Sequence, residues 1–158
     1  MEKQLKLRFL AEPSDVNFGG KVHGGAVMKW IDQAGYACAV NWCNGYAVTV
    51  YVSGIQFYEP ILIGHLVELR ARIVHTGKTS MHIAVDVYSK ALASTTYVHN
   101  THCIVIFVGL DQQGEPREVP HFEASGDEEK KWQAYAIKLM GLRKDIAEEM
   151  RTFRQDGE

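Results

Sequence analysis

One stretch limits the folds open to this chain more than any other: a turn-rich loop, Asp15 to Gly20, that runs through Val22-His23 into an uninterrupted apolar helix. From Gly24 to about Cys43, Ala26, Val27, Trp30, Ile31, Ala34, Ala37, Cys38 and Val40 recur at helical spacing, and no proline intervenes. Asn44-Gly45 supplies the stop. Apolar residues lie on nearly every side of this cylinder, so the helix is expected to be wrapped by other structure. The polar exceptions are Lys29, Asp32, Gln33 and Asn41, and a carboxylate in that setting must be neutralised, paired or used.

What wraps it follows from the rest of the chain. Leu5 to Leu10 alternates like a strand until Glu12-Pro13-Ser14-Asp15 breaks it. Tyr46 to Tyr58, with a bulge expected at Gly54 and an end at Pro60, is a second strand. Gly64 to His75, Thr79 to Ser89 and Thr95 to Val108 are three more period-two runs, the first two joined into a hairpin by Thr76-Gly77-Lys78. One buried helix among hairpin-linked strands predicts an α+β architecture, a single antiparallel sheet curled around a central helix. Arg117 to His121 is either a short extension onto that sheet or a tail. A second helix opens at Ser125, where Ser125 and Glu128 match a capping box. Its stripe of Trp132, Tyr135, Leu139, Leu142, Ile146, Met150 and Phe153 must dock, on its own domain or on a neighbour. The expected division is residues 1–122 and a helical extension, 123–158.

At 158 residues with 46% hydrophobic and 23% charged, the chain can fill one core. A net charge of −2 with scattered Lys and Arg gives no footprint for nucleic acid. The opening residues lack a signal-peptide core, and no run reaches the roughly 20 apolar residues of a membrane span, so a cytoplasmic protein without membrane contact is expected. Cys38, Cys43 and Cys103 are odd in number and read as reduced core residues, and no metal-ligand spacing occurs.

Asn17, Val22-His23-Gly24-Gly25 and Asp32, followed by the four-strand run, resemble the hotdog-fold acyl-CoA thioesterases, most closely the bacterial acyl-CoA hydrolases and their cytosolic relatives in animals. The likeness spans Leu7 to Pro120 and includes Arg8 to Asp15, Gln56-Phe57-Tyr58-Glu59-Pro60, Ile63-Gly64 and Gly77-Lys78-Thr79-Ser80; the helix after Ser125 lies outside it. The resemblance implies hydrolysis of an acyl-CoA thioester to free acid and CoA, without a cofactor. It implies Asp32 as base or nucleophile, Asn17 holding the attacking water or the thioester, and a backbone N–H near Gly24 polarising the carbonyl.

Physical chemistry of the residues bears on each role. A thioester needs charge stabilisation where its carbonyl becomes an oxyanion, and a group that delivers oxygen to carbon. Gly24-Gly25, at a helix N-terminus with free N–H groups and no Cβ, suits the first need, or is a plain helix start. Asp32 in an apolar helix should have a raised pKa, which suits a base, or it pairs with Lys29. Asn17 reads equally as an Asx-turn residue, and His23 as a hydrogen-bonding partner of Asn17 or substrate, or as a cap. For the CoA phosphates, the turn Gly77, Lys78, Thr79 and Ser80 is the best local candidate, and Gly25 is counted with it among the substrate-binding residues.

Gly24 and Asp32 are eight residues apart on one helix, about 12 Å of rise, too far for one small carbonyl to touch both. If both act on one thioester, two chains must contribute, which gives a homodimer with composite sites, assembled further as a tetramer or hexamer. Two rival readings remain: a non-catalytic acyl-CoA-binding regulator, and a hotdog hydratase or dehydratase. The latter would carry Asp-x-Asn followed closely by Pro-x-His, and Asp15-Val16-Asn17 lacks that proline.

Overall fold

The computed structural model describes residues 2–157, so residues 1 and 158, the outer bounds of the expected division, lie outside the described residues. Strand β1 (Gln4–Leu10) is followed by a 3-10 turn, helix α1 (Gly24–Cys43), β2 (Ala47–Val52), a short β3 (Gln56–Phe57), β4 (Leu66–Thr76), β5 (Ser80–Lys90), β6 (Val98–Gly109) and helix α2 (Gly126–Asp156). The strands form one antiparallel sheet in the order β1-β4-β5-β6-β2, with β3 also on β6. This is the hotdog architecture.

Both faces of the sheet are covered, so most positions of β4, β5 and β6 are buried, polar ones such as Glu68, His82 and Thr101 included. On one face lies α1, whose Val27, Trp30, Ile31, Ala34, Cys38, Ala39 and Trp42 pack against Leu69, Ala71, Ile73, Val85, Val87, Val105 and Phe107. The closest approach is at Gly35, where a Cβ would stand 3.0 Å from the Phe107 ring. Asn44 ends the helix in the left-handed region (φ 49°), and the Arg117 guanidinium donates to the Cys43 carbonyl at 2.7 Å. Cys38, Cys43 and Cys103 are buried free thiols, and burial pushes those of Cys38 and Cys103 up to about 12.

On the opposite face a smaller cluster of Val74, Ala84, Ile104 and Ile106 receives Ala136 of α2, flanked by Trp132 and Leu139. The apolar stripe of α2 therefore docks on its own sheet only in its first half. From residue 144 to 156 every residue is exposed, including Ile146, Met150 and Phe153.

Several expectations are corrected. Helix α1 is not wrapped by its own chain on all sides: Met28, Lys29, Asp32, Gln33 and Tyr36 form an open face. The bulge falls at Val50, where the β2–β6 register shifts, and Gly54 lies instead in the break before β3. Ser125 is answered by Glu129, which accepts from its N–H (2.7 Å) and hydroxyl (3.0 Å), whereas Glu128 pairs with Arg72 at 2.8 Å. Arg117 to His121 forms no strand, yet it is not a loose tail: Arg117 N–H donates to Gly109 O (2.9 Å) and Val119 N–H to Lys78 O (3.0 Å), which ties it to the end of the sheet.

Three variants test this packing at fixed protein concentration. Gly35→Ala is expected to lower unfolding free energy by about 1–3 kcal/mol by overpacking against Phe107. Gly141→Ala, in an open stretch of α2 with nothing near a new Cβ, should raise it by up to about 1 kcal/mol. Buried His82 supplies a pH test: burial, then the neighbouring His75 and Arg143, push its pKa down to about 4. The unfolded chain binds the extra proton between there and about 6.5, so stability falls as pH drops through that window. Urea midpoints at pH 7 and pH 5 should differ less in His82→Asn than in the wild type.

Candidate active site

The loop before α1 is held by backbone pairing, so its functional residues have fixed positions. Val16 bridges Val22, Lys21 bridges Leu62, and the Val22 N–H donates to Ile61 O at 2.9 Å. Gly20 takes φ +76°, a left-handed conformation natural to glycine, and lets the loop close on itself. The Asn17 side-chain oxygen accepts from Gly19 N–H (2.9 Å) and Lys21 N–H (3.2 Å). The Asx-turn reading of Asn17 is thus realised, while its Nδ2 keeps both donors unengaged among the described residues.

His23 precedes the first turn of α1 (φ −60°, ψ 139°). Its N–H donates to Asp15 O (2.8 Å), its carbonyl accepts from Val27 (3.1 Å), and its exposed ring makes no cap bond. The N–H groups of Gly24 and Gly25 find no backbone acceptor among the described residues, as expected at a helix start. Beside them opens a cavity of about 350 Å³ lined by Asn17, Gly24, Phe57, Tyr58, Pro60 and Asn100, among others. Its far wall is fixed from β6: buried Asn100 donates from Nδ2 to Glu59 O at 3.1 Å, and its carbonyl accepts from Tyr58 N–H at 2.9 Å.

Asp32 does not line this cavity. Its side chain is exposed on the open face of α1 and accepts the Thr49 hydroxyl at 2.6 Å, in place of the ion pair with Lys29. The apolar surroundings expected of Asp32 are therefore not supplied by its own chain. Thr49 was not among the sequence candidates, because a threonine alternating with valines reads as the polar face of a strand. Register is the signal that finds it: Thr49 is the cross-strand partner of Phe107, so it shares the face that carries α1.

The turn Gly77 to Ser80 lies apart from both. Val87, the partner of cavity-lining Thr101, stands seven positions along β5 from Ser80, a span of roughly 23 Å. Gly77 is explained locally, since a Cβ there would stand 2.6 Å from Ser80 Oγ, and the Lys78 ammonium sits 3.6 Å from Glu118 on an exposed surface. Within one chain, then, Asn17, His23, Gly24 and Gly25 gather at one end, Asp32 with Thr49 further along α1, and residues 77–80 at the distant end of the sheet. Among the described residues no cluster of His, Cys, Asp and Glu could hold a metal, and no helix is long and apolar enough to cross a membrane.

Comparison with known proteins bears on this arrangement. Residues 19–94 match the model of the thioesterase superfamily. Acyl-CoA thioester hydrolase YciA of Salmonella typhimurium is 37% identical over 120 residues, covering 74% of this chain and 90% of the relative. The chain belongs to the thioesterase superfamily. A hexameric acyl-CoA thioesterase solved in its apo form superposes on this thioesterase with a TM-score of 0.87 at 30% identity, over 91% of this chain and 92% of the other. The acyl-CoA hydrolase of Staphylococcus aureus, solved with butyryl coenzyme A, coenzyme A and coenzyme A disulfide, gives a TM-score of 0.88 at 23% identity over 96% and 93%, a likeness of fold.

The two uses of Asn17 can be separated in this thioesterase. Asn17→Asp keeps an acceptor for the turn and removes the Nδ2 donors, so its melting temperature should stay near wild type while thioester turnover falls. Asn17→Ala removes both and should also lose about 1 kcal/mol or more of stability. If Asn17→Asp turns over thioester at the wild-type rate, the Nδ2 donors have no part in the chemistry.

Proposed function

We propose that this protein is an acyl-CoA thioesterase whose catalytic centre is shared between two copies of the chain. The reading rests on one observation: Asn17 and the amide end of α1 line a cavity, while the carboxylate of the same helix, Asp32, lies outside that lining on an exposed face, held by the Thr49 hydroxyl. In a two-fold dimer joined through the open face of α1, Asp32 of one copy meets the Gly24 end of the other.

The chemistry divides accordingly. Asp32, oriented by Thr49, takes a proton from water or attacks the carbonyl carbon itself. The Gly24 N–H, at the positive end of the helix dipole, receives the developing oxyanion. Asn17 Nδ2 positions the water or the thioester. The carbon–sulfur bond then breaks and the CoA sulfur leaves as a thiolate that gains a proton. When water attacks, this step frees the acid at once; when Asp32 attacks, it leaves an acyl anhydride on Asp32 that water hydrolyses to free the acid and restore the carboxylate. His23 and Gly25 border this centre, and Gly77 to Ser80 are candidates for the CoA phosphates only in the assembled oligomer, where a neighbour can bring them near.

Names and spacing support the assignment. YciA is an acyl-CoA thioester hydrolase. Variants of the Staphylococcus aureus enzyme place alanine at an asparagine, an aspartate and a threonine separated by 15 and then 17 residues, the separations of Asn17, Asp32 and Thr49 here. The apo relative is a hexamer, and the same assembly is proposed for this chain as a trimer of such dimers.

Asp32→Ala is expected to cut acyl-CoA turnover by about 10²–10⁴-fold. Thr49→Val should cost about 10–100-fold with the fold intact, the worth of one hydrogen bond to a charged group. Purified heterodimers of Asn17→Ala and Asp32→Ala subunits retain one unaltered site and should recover about half of the wild-type rate, although each homodimer is impaired. No recovery would refute the shared centre; a rate unaffected by Asp32→Ala would refute the role of the carboxylate.

A further inference from the structure

One buried acceptor beside the Gly24 cavity has no partner. Strand β6 pairs with β5 without interruption except at one point, where Thr101 stands opposite Val87 and His99 opposite Tyr88, so Asn100 is left over as a β-bulge. Val87 lies in the core under α1, whereas the His99 ring stacks on Tyr88 on the other face of the sheet. A bulge re-aims a side chain, and here Asn100 joins Thr101 in the lining of the cavity.

The cavity has a rim and a floor. Asn17, Gly24 and Tyr58 at the rim are exposed, whereas Val27, Ile61, Asn100 and Thr101 are at most 4% exposed. On the floor the Thr101 hydroxyl donates to Gln56 O at 2.7 Å. Asn100 Nδ2 lies against two carbonyls, Glu59 O at 3.1 Å and Pro60 O at 3.4 Å, which fixes the orientation of the amide. Its Oδ1 is then buried without a hydrogen-bond partner among the described residues. Leaving such an acceptor bare costs the full desolvation of the group, so the atom calls for a donor.

We propose that Asn100 sets the acyl specificity of this thioesterase: its Oδ1 accepts from a hydroxyl on the acyl group, which makes hydroxyacyl-CoA the preferred substrate class. The inference rests on the catalytic reading above, and the layout of the cavity gives it direction. With the thioester carbonyl at the Gly24 N–H, on the rim, the bulky CoA moiety stays on the open side of a space of about 350 Å³, and the acyl group runs inward to Asn100. A plain alkyl chain there leaves Oδ1 dry and unpaired. No charged group stands on the floor, which suits a neutral hydroxyl better than an ammonium. A site built around a buried acceptor rejects the analogue that lacks the donor, far beyond what an apolar pocket achieves for one methylene.

Steady-state turnover of butyryl-CoA and of its 2-, 3- and 4-hydroxy derivatives, by wild type and Asn100→Ala, tests this. In the wild type at least one hydroxy isomer is expected to exceed butyryl-CoA in kcat/KM by about tenfold or more, and Asn100→Ala should bring that ratio near one. The ratio is the readout, because loosening of the Glu59-Pro60 wall slows all four thioesters alike. No preferred isomer in the wild type, or a preference that survives in Asn100→Ala, overturns the proposal. An equal loss for all four does the same, since it puts the donor on the CoA arm or on a trapped water. Calorimetry with the unreactive thioethers S-butyl-CoA and S-(hydroxybutyl)-CoA keeps the test independent of catalysis. If no thioester is turned over but the hydroxyl-bearing thioether binds about tenfold tighter, and only with Asn100 present, the specificity stands and the hydrolase reading falls. Equal affinities and equal turnover leave the hydrolase reading intact and remove the role of Asn100.

Discussion

A helix is a rigid ruler, and in this protein the ruler is α1. Its amide end and Asp32 are fixed relative to each other by eight residues of hydrogen-bonded backbone, roughly 12 Å, and no side-chain rotation closes that gap. Every account of the chemistry must respect that interval. What can vary is the partner that each end of the interval faces, and for this reason the sheet, the loop and the open face of α1 matter as much as the reactive groups.

The ruler is held in place by shape. Gly35 lets α1 settle onto the Phe107 ring, and Phe107 is the cross-strand neighbour of Thr49. The same residue that seats the helix therefore fixes the strand that presents the hydroxyl to Asp32. At the opposite end, the Arg117 guanidinium crosses to the last carbonyl of α1, that of Cys43, and lies where a Cβ at Gly45 would stand. The helix is pinned at its middle and at its C-terminus, so its N-terminus meets the cavity with little freedom. On the outer face, buried Glu68 is bound by Arg8 at 2.6 Å and Arg70 at 2.5 Å; burial alone would push this carboxyl up, but the two guanidinium groups outweigh it and hold it below its ordinary value.

Elements with a strong local signal were legible in the sequence. Helix α1 was read with its observed bounds, because helical spacing over 20 residues and the Asn44-Gly45 stop leave little choice, and the long strands declare themselves by period. What was not legible depends on register or on three-dimensional neighbours. The bulge at Val50 arises from how β2 fits β6, and no residue in β2 advertises it. Glu128 and Glu129 are interchangeable to a capping rule, and the choice falls to Arg72 and Lys3, which engage one each. The open face of α1 carries Met28 and Tyr36, so composition described it as buried; it is covered only if another copy is there. For the site, residue types and spacing named Asn17, Gly24 and Asp32, but the hydroxyl on Asp32 came from pairing that only the folded sheet defines.

The two uncovered surfaces carry the same physical message. This chain leaves Met28 and Tyr36 on α1, and Met150 and Phe153 at the far end of α2, in the open. The two lie on opposite faces of one sheet, so a single neighbour cannot cover both. The face on α1 carries the carboxylate that lies outside the cavity of its own chain, so on the proposed shared centre a copy that covers this face also completes the chemistry. Substitutions along the open face of α1 should then change oligomeric state and turnover together.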